Sequence, residues 1–203
     1  MSIVFRRLVL LPTFVVAAMV CSACGWLAGS SKADAISQMK WSYSDNGVEL
    51  TWCAHPDLNS YNGEKHALSL VVVQVSDPNV FKQLIASSAA LTFLLTAQTV
   101  PTGTVDFQRL FVQPGEIRTV KLARASNAQY VGIVAGYYDM KPETSARLYP
   151  IDVDVRSHGW IVKAYEATPA PLKVSLELGK AALIVNAEKN GYCSADKMRG
   201  DGR

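Results

Sequence analysis

The side chains of this 203-residue chain with the most capacity for chemistry are four cysteines, three histidines and two aspartates spaced two apart. Cys21 and Cys24 stand as C-x-x-C, a redox spacing when it opens a helix after a strand. Here the pair closes an apolar run, residues 8–20, that follows Arg6 and Arg7. Basic residues, then thirteen largely apolar ones, then small ones read as an export signal. The run falls short of the roughly 18 to 20 residues that span a bilayer as a helix. Ser22 and Ala23 are small enough for the peptide to lie extended in the cleft of a processing peptidase, with Cys24 next to the cut. Acylation is the chemistry this predicts at Cys24: a diacylglyceryl thioether on the sulfur and a further acyl group on the new amino terminus. A secretory signal cut after Ala23, with Cys24 left as a thiol, is the competing reading, because Cys21 stands where leucine is usual.

The remaining reactive residues do not assemble into a catalytic pattern in sequence. Cys53 and His55 have metal-ligand types, yet no second pair with ligand spacing lies nearby, so no metal is expected. Around His55, His66 and His158 there is no G-x-S-x-G, H-E-x-x-H or phosphate-cradling glycine loop. Asp152 and Asp154 would share one face of a strand, the geometry of an acid and base pair, but a solvated outer face of that strand is the plainer account. Trp160, Tyr137 and Tyr138 read as core or rim packing rather than a carbohydrate platform. The expectation is a protein that is not an enzyme and holds no cofactor beyond the lipid on Cys24.

Charge narrows the partners. Arg6 and Arg7 leave with the signal, so eighteen of the 20 basic residues face 17 acidic ones in the mature chain. Near-neutral balance supplies no basic stripe for phosphates, and nucleic-acid binding is not expected. Export also changes the cysteine arithmetic: with Cys21 removed and Cys24 acylated, Cys53 and Cys193 remain, an even pair in an oxidising compartment. A bond between them would close a long loop and add about 4 to 5 kcal/mol by chain entropy. Two unpaired thiols are the alternative.

These residues have to be positioned by the elements around them. Residues 1–23 form the signal and 24–46 a lipidated N-terminus and tether, small and polar without sustained period. As a flexible coil the tether would span about 25 Å. A domain over 47–203 follows. Strands are predicted at 48–53 and 66–75, the second almost continuously apolar and so covered on both faces. Between them lies a turn-rich loop of His55, Pro56, Asp57, Leu58, Asn59, Ser60, Tyr61, Asn62, Gly63, Glu64 and Lys65. Asp77 and Pro78 suit a helix cap and first position, and residues 89–98 a second helical piece, giving an insertion over about 78–110. Pro114-Gly115 marks a turn before a strand at 117–122, with Val120 and Leu122 inward. Residues 129–138 form the strongest strand, with Gly132 and Gly136 placed for close packing, and further strands are predicted at 148–155, 160–165, 172–178 and 182–186. The fold class is all-β, a two-sheet β-sandwich with a small helical insertion.

Tyr130-Val131-Gly132-Ile133-Val134-Ala135-Gly136-Tyr137-Tyr138 resembles the outer-membrane lipoproteins of type VI secretion systems, the TssJ family. Leu110-Phe111-Val112-Gln113-Pro114-Gly115-Glu116, Pro56-Asp57-Leu58-Asn59, Leu70-Val71-Val72-Val73-Gln74-Val75 and the pair Phe81 and Leu84 carry the resemblance further, in order, over roughly residues 47 to 186. It implies a transthyretin-like sandwich, an acylated first cysteine in the outer membrane facing the periplasm, and binding to the periplasmic C-terminal region of the inner-membrane protein TssM within a larger membrane complex. The loop between the first two strands, residues 55–65, is the part it implicates in TssM recognition, although Tyr61, Asn62 and Lys65 depart from the family's proline- and arginine-rich pattern. Tyr61 suits an interface anchor on its own chemistry, and Asn59 and Asn62 offer adaptable hydrogen bonds. A different class also fits the residues: a periplasmic lipoprotein whose sandwich binds a glycan or another small ligand. Gly25 and Trp26 follow Cys24 without the aspartate that retains bacterial lipoproteins at the inner membrane, which the resemblance to them reads as outer-membrane sorting.

Overall fold

The computed structural model describes residues 31–160 and 163–184. These fall into two compact units, Lys40–Asp154 with the chain from Pro169 in the larger, and the chain up to Met39 with Val155–Thr168 in the smaller. The larger holds two four-stranded sheets. The first runs in the order β10 (Leu183–Ile184), β9 (Leu172–Leu178), β1 (Ser44–Ala54), β4 (Ile117–Arg124). In the second the order is β3 (Asp106–Val112), β2 (Leu68–Val75), β5 (Tyr130–Ala135), β6 (Ala146–Pro150). The β1–β9 pairing is parallel, whereas β1–β4 and all three pairings of the second sheet are antiparallel.

Alternation along the strands dictates how the sheets meet. Val48, Leu50 and Trp52 of β1 and Val174, Leu176 and Leu178 of β9 share one core with Leu68, Leu70 and Val72 of β2 and Ile133 of β5. The opposite face of β2, Val71, Val73 and Val75, packs with Val134 against Phe81, Leu91 and Leu94 of the helical insertion. That double cover explains why β2 is apolar at nearly every position. Gln74 is the fully buried polar exception: it donates to Ala123 O and Asp106 Oδ2 at 2.7 and 3.1 Å and accepts from Ala125 N at 2.9 Å, so each polar atom is satisfied.

The insertion consists of α2 (Pro78–Leu84) and α3 (Ser88–Thr96), the helices at Lys32–Gln38 and Pro142–Ser145 being α1 and α4. Asp77 caps α2 by accepting from Asn79 N, with Pro78 in its first turn, and Ser87 caps α3 by accepting from Ala90 N. The close packing expected of the glycines is there: a Cβ on Gly132 would overlap the Phe81 ring, and one on Gly136 would press on Leu95 at 3.2 Å. Phe81 can approach β5 this closely only because Gly132 has no side chain.

Several elements differ from their sequence expectation. Strand β3 begins at Asp106, inside the stretch to about residue 110 read as helical insertion, whose helices end at Thr96, and the strand read at 148–155 is two, β6 and β7 (Val153–His158), parted at Ile151-Asp152. Asp152 therefore lies in a connection and Asp154 on β7, not side by side on one strand. Strand β8 (Ala164–Pro169) begins later than residue 160, leaving Trp160 outside it, 92 % exposed rather than packed. Strands β7 and β8, most of whose residues belong to the smaller unit, form a two-stranded ribbon. Within the stretch read as tether, α1 carries a capping box: Ser31 and Asp34 accept from each other's backbone N–H. Among the described residues no helix is long and apolar enough to cross a membrane.

Candidate partner-binding loop

Residues 55–65 leave β1 at the end of the sandwich and divide into a fixed base and a projecting tip. At the base, Leu58 is fully buried, His55 N donates to Leu178 O and Leu58 N to His55 O, and His66 N returns to Leu58 O. Asn59, 6 % exposed and at φ 49°, donates through Nδ2 to Ala67 O at 3.2 Å and accepts from Tyr138 N at 2.9 Å. Left-handed backbone suits asparagine, which tolerates that region better than most residues. Beyond it, Ser60 N donates to Lys180 O.

The tip is a miniature hairpin. Tyr61 and Glu64 exchange both backbone hydrogen bonds at 2.9 Å across Asn62 and Gly63, whose φ values of 51° and 80° are those of a type I′ turn. Tyr61 then lies against Tyr138, ring centroids 4.6 Å apart and planes 18° from parallel, while His66 meets the same Tyr138 ring edge-on at 5.1 Å. Both tyrosines remain about half exposed, so a rigid aromatic platform faces solvent. Asp57 is held by Lys180, Nζ to Oδ2 at 2.9 Å, which keeps its carboxyl below the usual aspartate range, with His55 and Lys65 adding smaller pulls. Asp57 N also donates to His55 Nδ1 at 2.9 Å.

All eleven loop residues singled out in sequence sit on this one feature, but they divide by role. Leu58 and Asn59 are buried supports, Asp57 is an electrostatic tie, and Tyr61 with the turn after it is presented outward. Sequence reasoning did not place Tyr138, His66 or Lys180 with them. A signal existed for one: Tyr137 is buried in the core, so its neighbour Tyr138 has to point the other way.

Cys53 is buried on β1 and disulfide-bonded, and Cys24 and Cys193 lie outside the described residues. Among the described residues no three His, Cys, Asp or Glu side chains converge as a metal site.

A family model described as type VI secretion lipoprotein, VasD, EvfM, TssJ, VC_A0113 matches residues 46–178. No curated protein matches the chain in sequence. Among solved structures, one described as a type VI membrane complex has a TM-score of 0.51 at 18 % identity, covering 68 % of this chain and 95 % of its own. Another, described as the C-terminal domain of the type VI secretion protein TssM from EAEC, has a TM-score of 0.50 at 16 % identity, over 68 % and 94 %. The lipoprotein TssJ1 from Pseudomonas aeruginosa is 22 % identical, with a TM-score of 0.49, over 70 % and 93 %. At such identities the first two speak to the fold.

Proposed function

The chain belongs to the type VI secretion lipoprotein family, and on that premise we propose that it anchors the secretion system's membrane complex to the outer membrane by binding the periplasmic C-terminal region of TssM. The observation that carries this reading is the platform of Tyr61 and Tyr138 on a loop fixed at its base. Aromatic anchors held in place before binding lose little side-chain entropy on association, which is what an interface hot spot requires. Acylated Cys24 is the other end of the link, at the head of a signal-processed chain. One acyl chain holds a protein only marginally and about two give a stable hold, so three fit a permanent attachment. Cys193 is the proposed partner of Cys53, fastening the chain's last residues to β1.

The test is recovery of TssM from detergent-solubilised envelopes on the tagged, acylated chain. Y61A and Y138A should each reduce recovery while the domain keeps its unfolding midpoint, and C24S should retain TssM binding but lose sedimentation with outer membranes. Undiminished TssM recovery after replacement of the whole 55–65 loop together with Y138A sinks the interface. Co-purification of a glycan in place of TssM would favour the ligand-binding alternative.

A further inference from the structure

We propose that the exposed face of the α2–α3 insertion is a second membrane contact, resting on the outer-membrane bilayer at the depth of the lipid headgroups and upper acyl chains. The argument starts from charge. Residues 83–105 are twenty-three consecutive residues without Asp, Glu, Lys, Arg or His, in a chain where charged residues make up 18 %. Their inner side is accounted for, since Leu91 and Leu94 are buried under β2. The outer side is not: Phe93 is 71 % exposed and Val100 58 %, and both line a cleft of about 450 Å³ with Leu84 and Pro101. Large apolar side chains exposed together, with no charge in the stretch that carries them, mark a contact surface.

Several polar groups on this face donate internally, while Thr99 and Thr102 also line the cleft. Thr92 Oγ1 donates to Ser88 O at 3.0 Å, Thr96 Oγ1 to Thr92 O at 2.9 Å, and Ser88 Oγ to Met140 O at 2.7 Å. Thr104 Oγ1 donates to Pro101 O at 2.6 Å, and Arg109 Nη2 reaches from β3 to the Ala97 carbonyl beyond the end of α3 at 2.7 Å. Hydroxyls turned back on the preceding turn are how serine and threonine are accommodated in membrane helices, because no donor is left to desolvate. Protein interfaces, by contrast, are rimmed by polar groups with free donors and favour arginine. A stretch without charge, with four of its seven hydroxyls donating internally and large apolar side chains exposed, fits the headgroup and upper acyl region of a bilayer.

Chain length brings the bilayer within reach. This step rests on the acylation of Cys24 proposed above. Fifteen residues lie between Cys24 and Lys40, where the larger unit begins, and seven of them form α1. With helix at 1.5 Å per residue and the rest extended, the span is at most about 40 Å. Such confinement raises the effective concentration of the face at the bilayer to the millimolar range, where a few exposed apolar side chains suffice.

The experiment places a nitroxide at V100C, and at K121C on exposed β4 as control, in the full acylated chain reconstituted into phosphatidylethanolamine and phosphatidylcholine vesicles. Collision of the label with oxygen and with aqueous chromium oxalate is then compared. At position 100 the expected result is loss of chromium access and gain of oxygen access relative to position 121, both reversed by F93D. Equal access at the two positions in chain that carries its acyl mass overturns the proposal, as does protection at position 100 that arises only after TssM is added, which would make the face a protein interface. An N-terminal peptide without acyl mass overturns the anchor reading instead. The same labels on chain held to vesicles by a C-terminal His tag and a chelating lipid then decide the face independently.

Discussion

Asn59 is the residue on which the partner loop's rigidity can be measured. Replacing it with alanine removes the donor to Ala67 O and the acceptor for Tyr138 N. Both bonds are part-buried and their partners belong to residues exposed overall, so each is assigned about 1 kcal/mol, the usual net value for a protein hydrogen bond. Alanine must also hold φ near 49°, which costs about 1 to 2 kcal/mol for a side chain without asparagine's local hydrogen bonding. The sum for N59A is a loss of about 3 to 4 kcal/mol. N59G removes the same two bonds but adopts positive φ freely, so its loss is about 2 kcal/mol. Urea unfolding separates them: with a slope of about 2 kcal/mol/M, N59A shifts the midpoint down by about 1.5 to 2 M and N59G by about 1 M. Recovery of TssM should follow the same order, since Tyr138 loses its backbone support in both. Equal midpoints for N59G and the unaltered chain would refute the assignment of the loop's order to this amide, and equal midpoints for N59A and N59G would refute the backbone term.

Other substitutions test other joints of the structure. G132A puts a methyl into the Phe81 ring and should destabilise by about 1 to 3 kcal/mol, with the companion change F81L recovering part of the loss in a double-mutant cycle of thermal midpoints. Tyr137 is buried with no hydrogen-bond partner for its hydroxyl among the described residues, and burial drives its phenol pKa up, so Y137F should leave stability unchanged or raise it by up to about 1 kcal/mol in denaturant titration. Asp57 titrates below the ordinary aspartate value of 3.8, so Lys180 stabilises the loop above that pH and the contribution is lost as pH falls through the folded value. An NMR titration of the Asp57 carboxyl should show its midpoint move up, toward 3.8, in K180Q.

How much of the fold was legible depended on whether burial left a regular pattern in the chain. Strand β2 was legible because both its faces are covered, and the helical insertion because Asp77-Pro78 and the change of period mark its start. The glycines of β5 could be read as points of close approach, though not that Phe81 is what approaches Gly132. Strand β3 was not legible: six of its seven residues are only partly buried or exposed, so no alternation distinguishes it from a loop. Helix α1 buries no residue, leaving its Ser31 and Asp34 capping box as its only signal. At residues 148–155 the apolar alternation continued through Ile151, which is buried in a connection, so periodicity joined two strands that the structure parts.

The loop shows a sharper limit. Its composition, Pro56, Asp57, Asn59, Asn62 and Gly63, is what marks a turn in any sequence, and taken alone it describes a chain with no reason to hold one shape. Only Asn62-Gly63 between Tyr61 and Glu64 specifies a geometry locally, the two-residue hairpin at the tip. Beyond the local bonds of Leu58 with His55 and His66, what fixes the base comes from outside the loop: Leu178 at the end of β9 and Lys180 after it, Ala67 before β2, and Tyr138 after β5. Those residues are neighbours because the sandwich brings the ends of β1, β9 and β5 together. The order of the candidate site is thus a property of the fold rather than of the segment. A loop transplanted without its partners at 67, 138 and 180 should keep the tip hairpin at most and lose the presentation of Tyr61.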